Sequence, residues 1–70
     1  MNRFTNISNT QLSQLIDEWV RGERDRKIMK RRLIDGIRFE PLAEEFDLSV
    51  QHTQSIVRMN MRILNEKSTE

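Results

Sequence analysis

The segment LAEEFDLSV, residues 42–50, has the features of two short helices that meet at a steep angle across a tight turn. Leu42 and Phe46 supply apolar side chains for a shared core, and Ala43 is small enough for the two helices to approach closely. Asp47 stands at the turn, where the backbone must be left-handed, a conformation that Asp tolerates better than most residues. This pattern is typical of a helix-turn-helix.

The second helix of this motif is expected to begin after Ser49, a residue type that caps helix N-termini well, and to extend to about Leu64. Leu48 and Ile56 occupy positions that must be apolar. Thr53 takes a position more often held by Val or Ile, where its methyl group can pack and its hydroxyl can bond back to a carbonyl of the preceding turn. The segment from Leu48 to Ile56 therefore also fits the residue pattern of a helix-turn-helix.

Apolar residues at helical spacing predict a first helix from about Thr10 to Arg21, capped by Asn9 or Thr10 and ended by Gly22 in a left-handed conformation. The core-facing residues of this helix are Leu12, Leu15, Ile16, Trp19 and Val20. This helix would cover one side of a small core.

A second helix is predicted from Glu23 to Ile34, with acidic residues in its first turn and basic residues in its last, the order that the helix dipole favours. Gly36 stops it. A short third helix is expected to begin at Arg38 or Phe39, because a proline such as Pro41 is tolerated only near a helix start, where a backbone N–H has no intrahelical acceptor.

We therefore expect an all-α fold: a small four-helix domain over residues 1–70, with a C-terminal helix-turn-helix and flexible ends at residues 1–8 and 65–70. The chain has 70 residues and no cysteine, which excludes disulfides and thiolate metal sites. No apolar run approaches the roughly 18 residues that a membrane span needs. We expect a soluble, cytoplasmic protein without a membrane partner.

Charge is distributed unevenly along the chain, although the net charge is only +1. Basic residues dominate residues 21–38, whereas residues 40–47 are acidic, so we expect two electrically different faces. A basic face suits the phosphates of nucleic acid. Helix surfaces that are simply exposed to water often have a similar composition. The charge asymmetry therefore supports a nucleic-acid function but is not the main argument for it.

In a helix-turn-helix, side chains on the outer face of the second helix read base edges in the major groove. The base-facing candidates in this chain are Val50, Gln51, Gln54, Ser55 and Arg58. The candidates for phosphate contacts are Lys27, Lys30, Arg31, Ser49 and His52. The alternative for each of these residues is that its side chain is exposed to water and makes no contact with DNA.

The stretch of residues 23–57 resembles the C-terminal promoter-reading domain of bacterial sigma factors and the related small phage transcriptional regulators. The segments ERDRKIM, IDGI and LAEEFDLSV, which begin at residues 23, 34 and 42, carry the resemblance. It implies a bacterial or phage transcriptional regulator that binds duplex DNA by sequence, and a role in DNA packaging is the alternative. The chain shows no counterpart of the sigma domains that bind core polymerase or melt promoters, so we do not expect a complete sigma factor.

An enzyme, a cofactor and a metal site are not expected, because His52 is the only histidine and lacks a cysteine or second histidine as partner. The alternative to DNA binding is a protein-protein interaction module, whose partner would be RNA polymerase or another regulator. The last helix is apolar on more than one side between Ile56 and Leu64, which favours a homodimer through this helix. The other interpretation is that the first helix covers both apolar sides of the last helix, so that no apolar patch is exposed.

Overall fold

The computed structural model describes residues 8–68, and all the regular structure in this range is helical. The helices are α1 (Asn9–Trp19), α2 (Glu23–Leu33), α3 (Phe39–Glu45) and α4 (Val50–Ser68). The predicted all-α fold with four helices is confirmed for this part of the chain. Residues 1–7 and 69–70, which make up most of the predicted flexible ends, lie outside the described residues.

Helix α1 begins one residue earlier than predicted because Ser8, and not Asn9 or Thr10, caps it. The Ser8 hydroxyl accepts a hydrogen bond from the Gln11 N–H at 3.1 Å, and the Gln11 side chain accepts one from the Ser8 N–H at 3.1 Å. This reciprocal pair is a capping box, which satisfies two N–H groups that have no partner inside the helix. The Ser and Gln three residues apart were the sequence signal for it.

The end of α1 also differs from the prediction, because the helix stops at Trp19 and Val20 is already extended. Val20 nevertheless stays in the core, with only 1% of its surface exposed. Gly22 has the expected positive φ, +86°, but it is the N-cap of α2 and does not end α1. The connection is thus an extended link, held by a 2.8 Å hydrogen bond from Arg26 Nε to the Val20 carbonyl.

Helix α2 has the charge order that the sequence predicts, with Glu23 and Asp25 in its first turn and three basic residues in its last. Gly36, at φ +71°, turns the chain towards α3. Arg32 stabilises this connection by donating to the Ile37 carbonyl at 3.0 Å and lying 4.3 Å from the centroid of the Phe39 ring. Pro41 lies in the first turn of α3, as expected, where its missing N–H removes no intrahelical bond.

The longest helix, α4, packs against all three other helices and organises the core. It ends at Ser68, so the prediction that it ends near Leu64 and that a disordered tail follows from Asn65 is wrong for Asn65 to Ser68. Leu64 is fully buried, and Lys67 places its ammonium group 4.5 Å from the centroid of the Trp19 ring. Leu64 thus anchors this part of α4 in the core, and Lys67 brings the last turn of α4 into contact with α1.

The core contains apolar side chains from every helix and from the link after α1. Its buried members are Leu12, Ile16, Val20, Ile28, Met29, Leu42, Ile56, Val57 and Leu64. A fully buried Leu or Ile contributes about 1.5–3 kcal/mol relative to an exposed one, so this cluster dominates the stability of the domain. Within residues 8–68, none of the helices combines the length and apolar character needed to cross a membrane.

Candidate nucleic-acid interface

The turn between α3 and α4 sets the direction in which α4 leaves the core. Asp47 has φ +57°, which confirms the predicted left-handed residue. Its N–H donates to the Glu44 carbonyl at 3.2 Å, and the Leu48 N–H donates to the Ala43 carbonyl at 2.8 Å. These two bonds form the Schellman pattern that ends helices. They satisfy carbonyls at the end of α3 and fix the path of the chain into α4.

Helices α3 and α4 pack closely against each other, which explains why the small residue Ala43 and the hydrogen-bonded Thr53 lie between them. Ala43 is only 2% exposed, and Thr53 is fully buried. The Thr53 hydroxyl donates to the Ser49 carbonyl at 2.9 Å, as the sequence predicts, so its burial leaves no unsatisfied hydroxyl. Ser49 is confirmed as the cap of α4, because its hydroxyl accepts from the His52 N–H at 3.0 Å.

One face of α4 points away from the rest of the domain. Gln51, Ser55, Arg58 and Arg62 are all exposed and follow one another at intervals of three or four residues, which places them on one side of a helix. The opposite side of α4 is buried at Thr53, Ile56, Val57, Asn60 and Leu64. From Gln51 to Arg62 the exposed face is roughly 16 Å long at 1.5 Å per residue.

The five predicted base-facing residues therefore divide into two groups. Gln51, Ser55 and Arg58 are exposed together on the outward face of α4, whereas Val50 and Gln54 are half-buried at its margin. The margin position follows from the helical angle, because Val50 and Gln54 lie closer to the buried side than Gln51 does. The structure thus brings three of the five candidates onto one open surface.

Arg62 belongs to the same face and was missed by the sequence prediction, which considered only the first half of the helix. The signal was present in the sequence, since Arg62 follows Arg58 by four residues and Ser55 by seven. No Asp or Glu occurs between Val50 and Asn65, and the first acidic side chain of α4, the exposed Glu66, follows Arg62 by one turn on the same side. The outward face therefore has an uncharged first half and a basic second half.

Of the three predicted phosphate-binding residues in α2, one is exposed and two form ion pairs with carboxylates. Lys27 is exposed, but Lys30 Nζ lies 2.7 Å from Asp17 Oδ1 of α1. Arg31 pairs with Asp35 at 3.1 Å and with Glu45, at the end of α3, at 3.0 Å. Hydrogen bonding to Glu45, and then to Asp35, raises the pKa of Arg31 above its usual value.

Much of the basic segment that the sequence singles out is thus used inside the domain. Arg26 and Arg32 bond to backbone carbonyls of the links on either side of α2, and Lys30 and Arg31 pair with carboxylates of α1 and of the end of α3. The surface of α2 is consequently less positive than its composition suggests. Exposed ion pairs in water are weak, so Lys30 and Arg31 could still exchange their carboxylate partners for phosphates.

The remaining phosphate candidates lie at the start of α4. Ser49 and His52 are both exposed; Ser49 is the cap that precedes α4, and His52 lies in the first turn of the helix, next to Gln51. The N-terminal end of a helix carries a partial positive charge, which favours nearby anions. Among residues 8–68, no group of three or more His, Asp or Glu side chains is arranged to hold a metal ion.

Comparison with known proteins gave no matching family model, no matching curated protein and no matching solved structure. The assignment of function therefore depends on the geometry of α3, the turn and α4, together with the chemistry of the exposed side chains.

Proposed function

We propose that this protein binds duplex DNA in a sequence-specific manner, with α3, the turn at Asp47 and α4 acting as a helix-turn-helix. The single observation that carries the proposal is the outward face of α4. It presents Gln51, Ser55, Arg58 and Arg62 to solvent while its opposite side anchors the helix to the core. The major groove of B-DNA, about 12 Å wide, admits one such helix.

The chemistry of this face suits base recognition in its first half. The amide of Gln51 can pair with the N6 and N7 edge of adenine, and the Ser55 hydroxyl can donate to or accept from several bases. Val50 can touch a thymine methyl group, and Gln54 can reach the groove from the margin of the face. Arg58 can bond to guanine or to a phosphate.

Phosphate contacts would then come from residues around this face. In the proposed complex Arg62 reaches a phosphate beyond the bases that Gln51 reads, because it lies about 16 Å further along α4. Ser49 and the first N–H groups of α4 hold a phosphate at the positive end of the helix, beside His52. Lys27 adds a contact from α2, and Lys30 and Arg31 join by releasing their carboxylate partners.

The biological role that fits this chemistry is transcriptional regulation in a bacterium or a phage, in the cytoplasm where the DNA is located. The resemblance of residues 23–57 to the promoter-reading domain of sigma factors supports this role. The protein acts without a cofactor and is not an enzyme in this proposal, because the functional face contains only binding chemistry: amides, a hydroxyl and guanidinium groups.

A second candidate function is a protein-binding module that contacts RNA polymerase or another regulator and does not bind DNA itself. The ion pairs of Lys30 and Arg31 favour it, because they reduce the number of cations that α2 offers to phosphates. In this case the outward face of α4 would contact protein. The two functions make opposite predictions for the affinity of the purified protein for DNA.

The test begins with selection of bound fragments from random duplex DNA, followed by fluorescence anisotropy of the selected site. The double variant Gln51→Ala/Arg58→Ala should weaken binding by about 1–3 kcal/mol while helical content and melting temperature stay nearly unchanged. The matched control is Gln14→Ala/Arg24→Ala, which removes the same two side-chain types from exposed positions of α1 and α2. Equal affinity of wild type and the Gln51→Ala/Arg58→Ala variant would reject α4 as the reading helix.

A further inference from the structure

A groove of about 420 Å³ lies where the end of α1, the start of α2 and the second half of α4 meet. Its apolar side chains are Trp19, Met59 and Ile63, and its charged side chains are Arg21, Asp25 and Lys67. The groove is separate from the proposed DNA-binding face, and the DNA-binding proposal does not depend on it.

Exposed apolar surface is concentrated in this groove. Trp19 is 37% exposed and Met59 is 55% exposed, and these are the exposed large hydrophobic side chains of the part of the chain that is described. The sequence predicts Trp19 as a core residue, but it lies at the edge of the core, in the same groove as the apolar stripe of α4 that Met59 and Ile63 form. Helix α1 therefore covers this stripe only in part, and exposed apolar patches of this kind mark association surfaces.

The groove opens to one side of α4 and leaves the outward face accessible. Met59 and Ile63 each follow an arginine of the outward face, Arg58 and Arg62, by one residue. One residue corresponds to a rotation of about 100° around a helix with 3.6 residues per turn. A partner in the groove would therefore approach the flank of α4 and leave Gln51 uncovered.

Two of the three charged side chains of the groove, Arg21 and Asp25, are complementary to each other, and the third, Lys67, lies over the Trp19 ring of its own chain. Arg21 and Asp25 carry opposite signs and line the same groove. In a two-fold dimer the same patch faces itself, so the cation of one copy can lie opposite the carboxylate of the other, and this contact occurs twice. Asp25 already accepts a hydrogen bond from Arg24 at 3.2 Å through one oxygen, but a carboxylate has acceptor capacity for further donors.

We propose that a second copy of this chain occupies the groove. In this dimer Trp19, Met59 and Ile63 pack against the same residues of the other copy, and Arg21 pairs with Asp25 across the two-fold axis. The dimer leaves both outward faces of α4 open to other partners. Because the patch is small, self-association should be weak, with the dimer fraction rising over roughly 10–500 μM protein.

Sedimentation equilibrium of the full-length protein tests the proposal directly. Met59→Lys should weaken self-association at least tenfold, because it places a charge in the apolar centre of the interface. The matched control is Gln14→Lys, which adds the same charge on the exposed side of α1 and should leave the association constant unchanged. Circular dichroism at 222 nm confirms that each variant keeps its helical content.

Charge exchange tests the orientation of the two copies. Arg21→Asp and Asp25→Arg should each weaken association about fivefold, since each places like charges opposite one another at two contacts. The double variant Arg21→Asp/Asp25→Arg should return to within about twofold of wild type, because the pairs are restored with their signs reversed. The melting temperatures of the two single variants, measured at about 10 μM protein, separate an effect on the monomer from an effect on association.

Three outcomes would overturn the proposal. One is a monomer mass at 500 μM protein, and another is a dimer whose association constant is unaffected by Met59→Lys. The third is a double variant as weak as the single variants, which would exclude the two-fold pairing of Arg21 with Asp25. DNA affinity is measured separately, at nanomolar protein, so failure of the dimer and failure of the DNA-binding proposal are distinguishable.

Discussion

Leu64 tests whether the last turns of α4 are an integral part of the domain. Its side chain is fully buried, at the position where the sequence predicts that the helix ends. Leu64→Ala removes buried carbon groups worth about 0.8 kcal/mol per methylene and leaves a cavity. Because both terms destabilise the fold, the free energy of unfolding should fall by roughly 3–5 kcal/mol.

This loss is large for a chain of 70 residues, whose total stability is expected to be about 4–10 kcal/mol. Each 1 kcal/mol lowers the melting temperature of a domain of this size by about 4–8 °C, so Leu64→Ala should melt at least about 12 °C below wild type. Thermal and urea unfolding followed by circular dichroism at 222 nm, at about 10 μM protein, measure the effect with little contribution from self-association.

Arg62→Ala is the matched control, because Arg62 lies in the same part of α4 but is exposed. Its stability should stay within about 0.5 kcal/mol of wild type. If Leu64→Ala lowers the free energy of unfolding by less than about 1 kcal/mol, the end of α4 does not pack on the core, and the reasoning that extends this helix to Ser68 is refuted.

Three further predictions concern the cap of α4, the link before α2 and the basic half of the outward face. Ser49→Ala should lower the free energy of unfolding by about 1 kcal/mol, since it removes the acceptor for the His52 N–H; an unchanged urea midpoint would contradict this role. Gly22→Ala should cost about 1–3 kcal/mol through backbone strain at φ +86° alone, because nothing lies within 4 Å of the added Cβ; a variant as stable as wild type in the same urea titration would exclude this strain. Arg62→Ala should reduce the slope of log affinity for DNA against log salt concentration by about 0.9, whereas Arg24→Ala should leave it unchanged; equal slopes would remove Arg62 from the phosphate contacts.

Local interactions explain the parts of the structure that could be predicted from the sequence. Asp47 in the left-handed conformation, the Thr53 hydroxyl bonded to the Ser49 carbonyl and the Ser49 cap all depend on residues within four positions of one another. Their spacing along the chain is therefore sufficient to predict them. Gln51, Ser55 and Arg58 could be placed on one face for the same reason, because helical periodicity sets their relative direction.

The features that the sequence did not reveal depend largely on contacts between residues distant in sequence. The sequence does not show that Lys30 and Arg31 are paired within the domain, because only the packing of the helices brings Asp17 and Glu45 within reach of them. Beyond Leu64, Lys67 of α4 lies over the Trp19 ring of α1, a contact that the local sequence pattern does not reveal.

The sequence by itself determined four helices, the turn at Asp47 and the polar face of α4, because hydrogen bonds and side-chain periodicity within a few residues specify them. Tertiary structure alone decided which basic side chains pair with carboxylates inside the domain, where Trp19 lies and how far α4 extends. The physical reason is that these features depend on the distances between helices, which are set by the packing of the whole core and not by any local pattern.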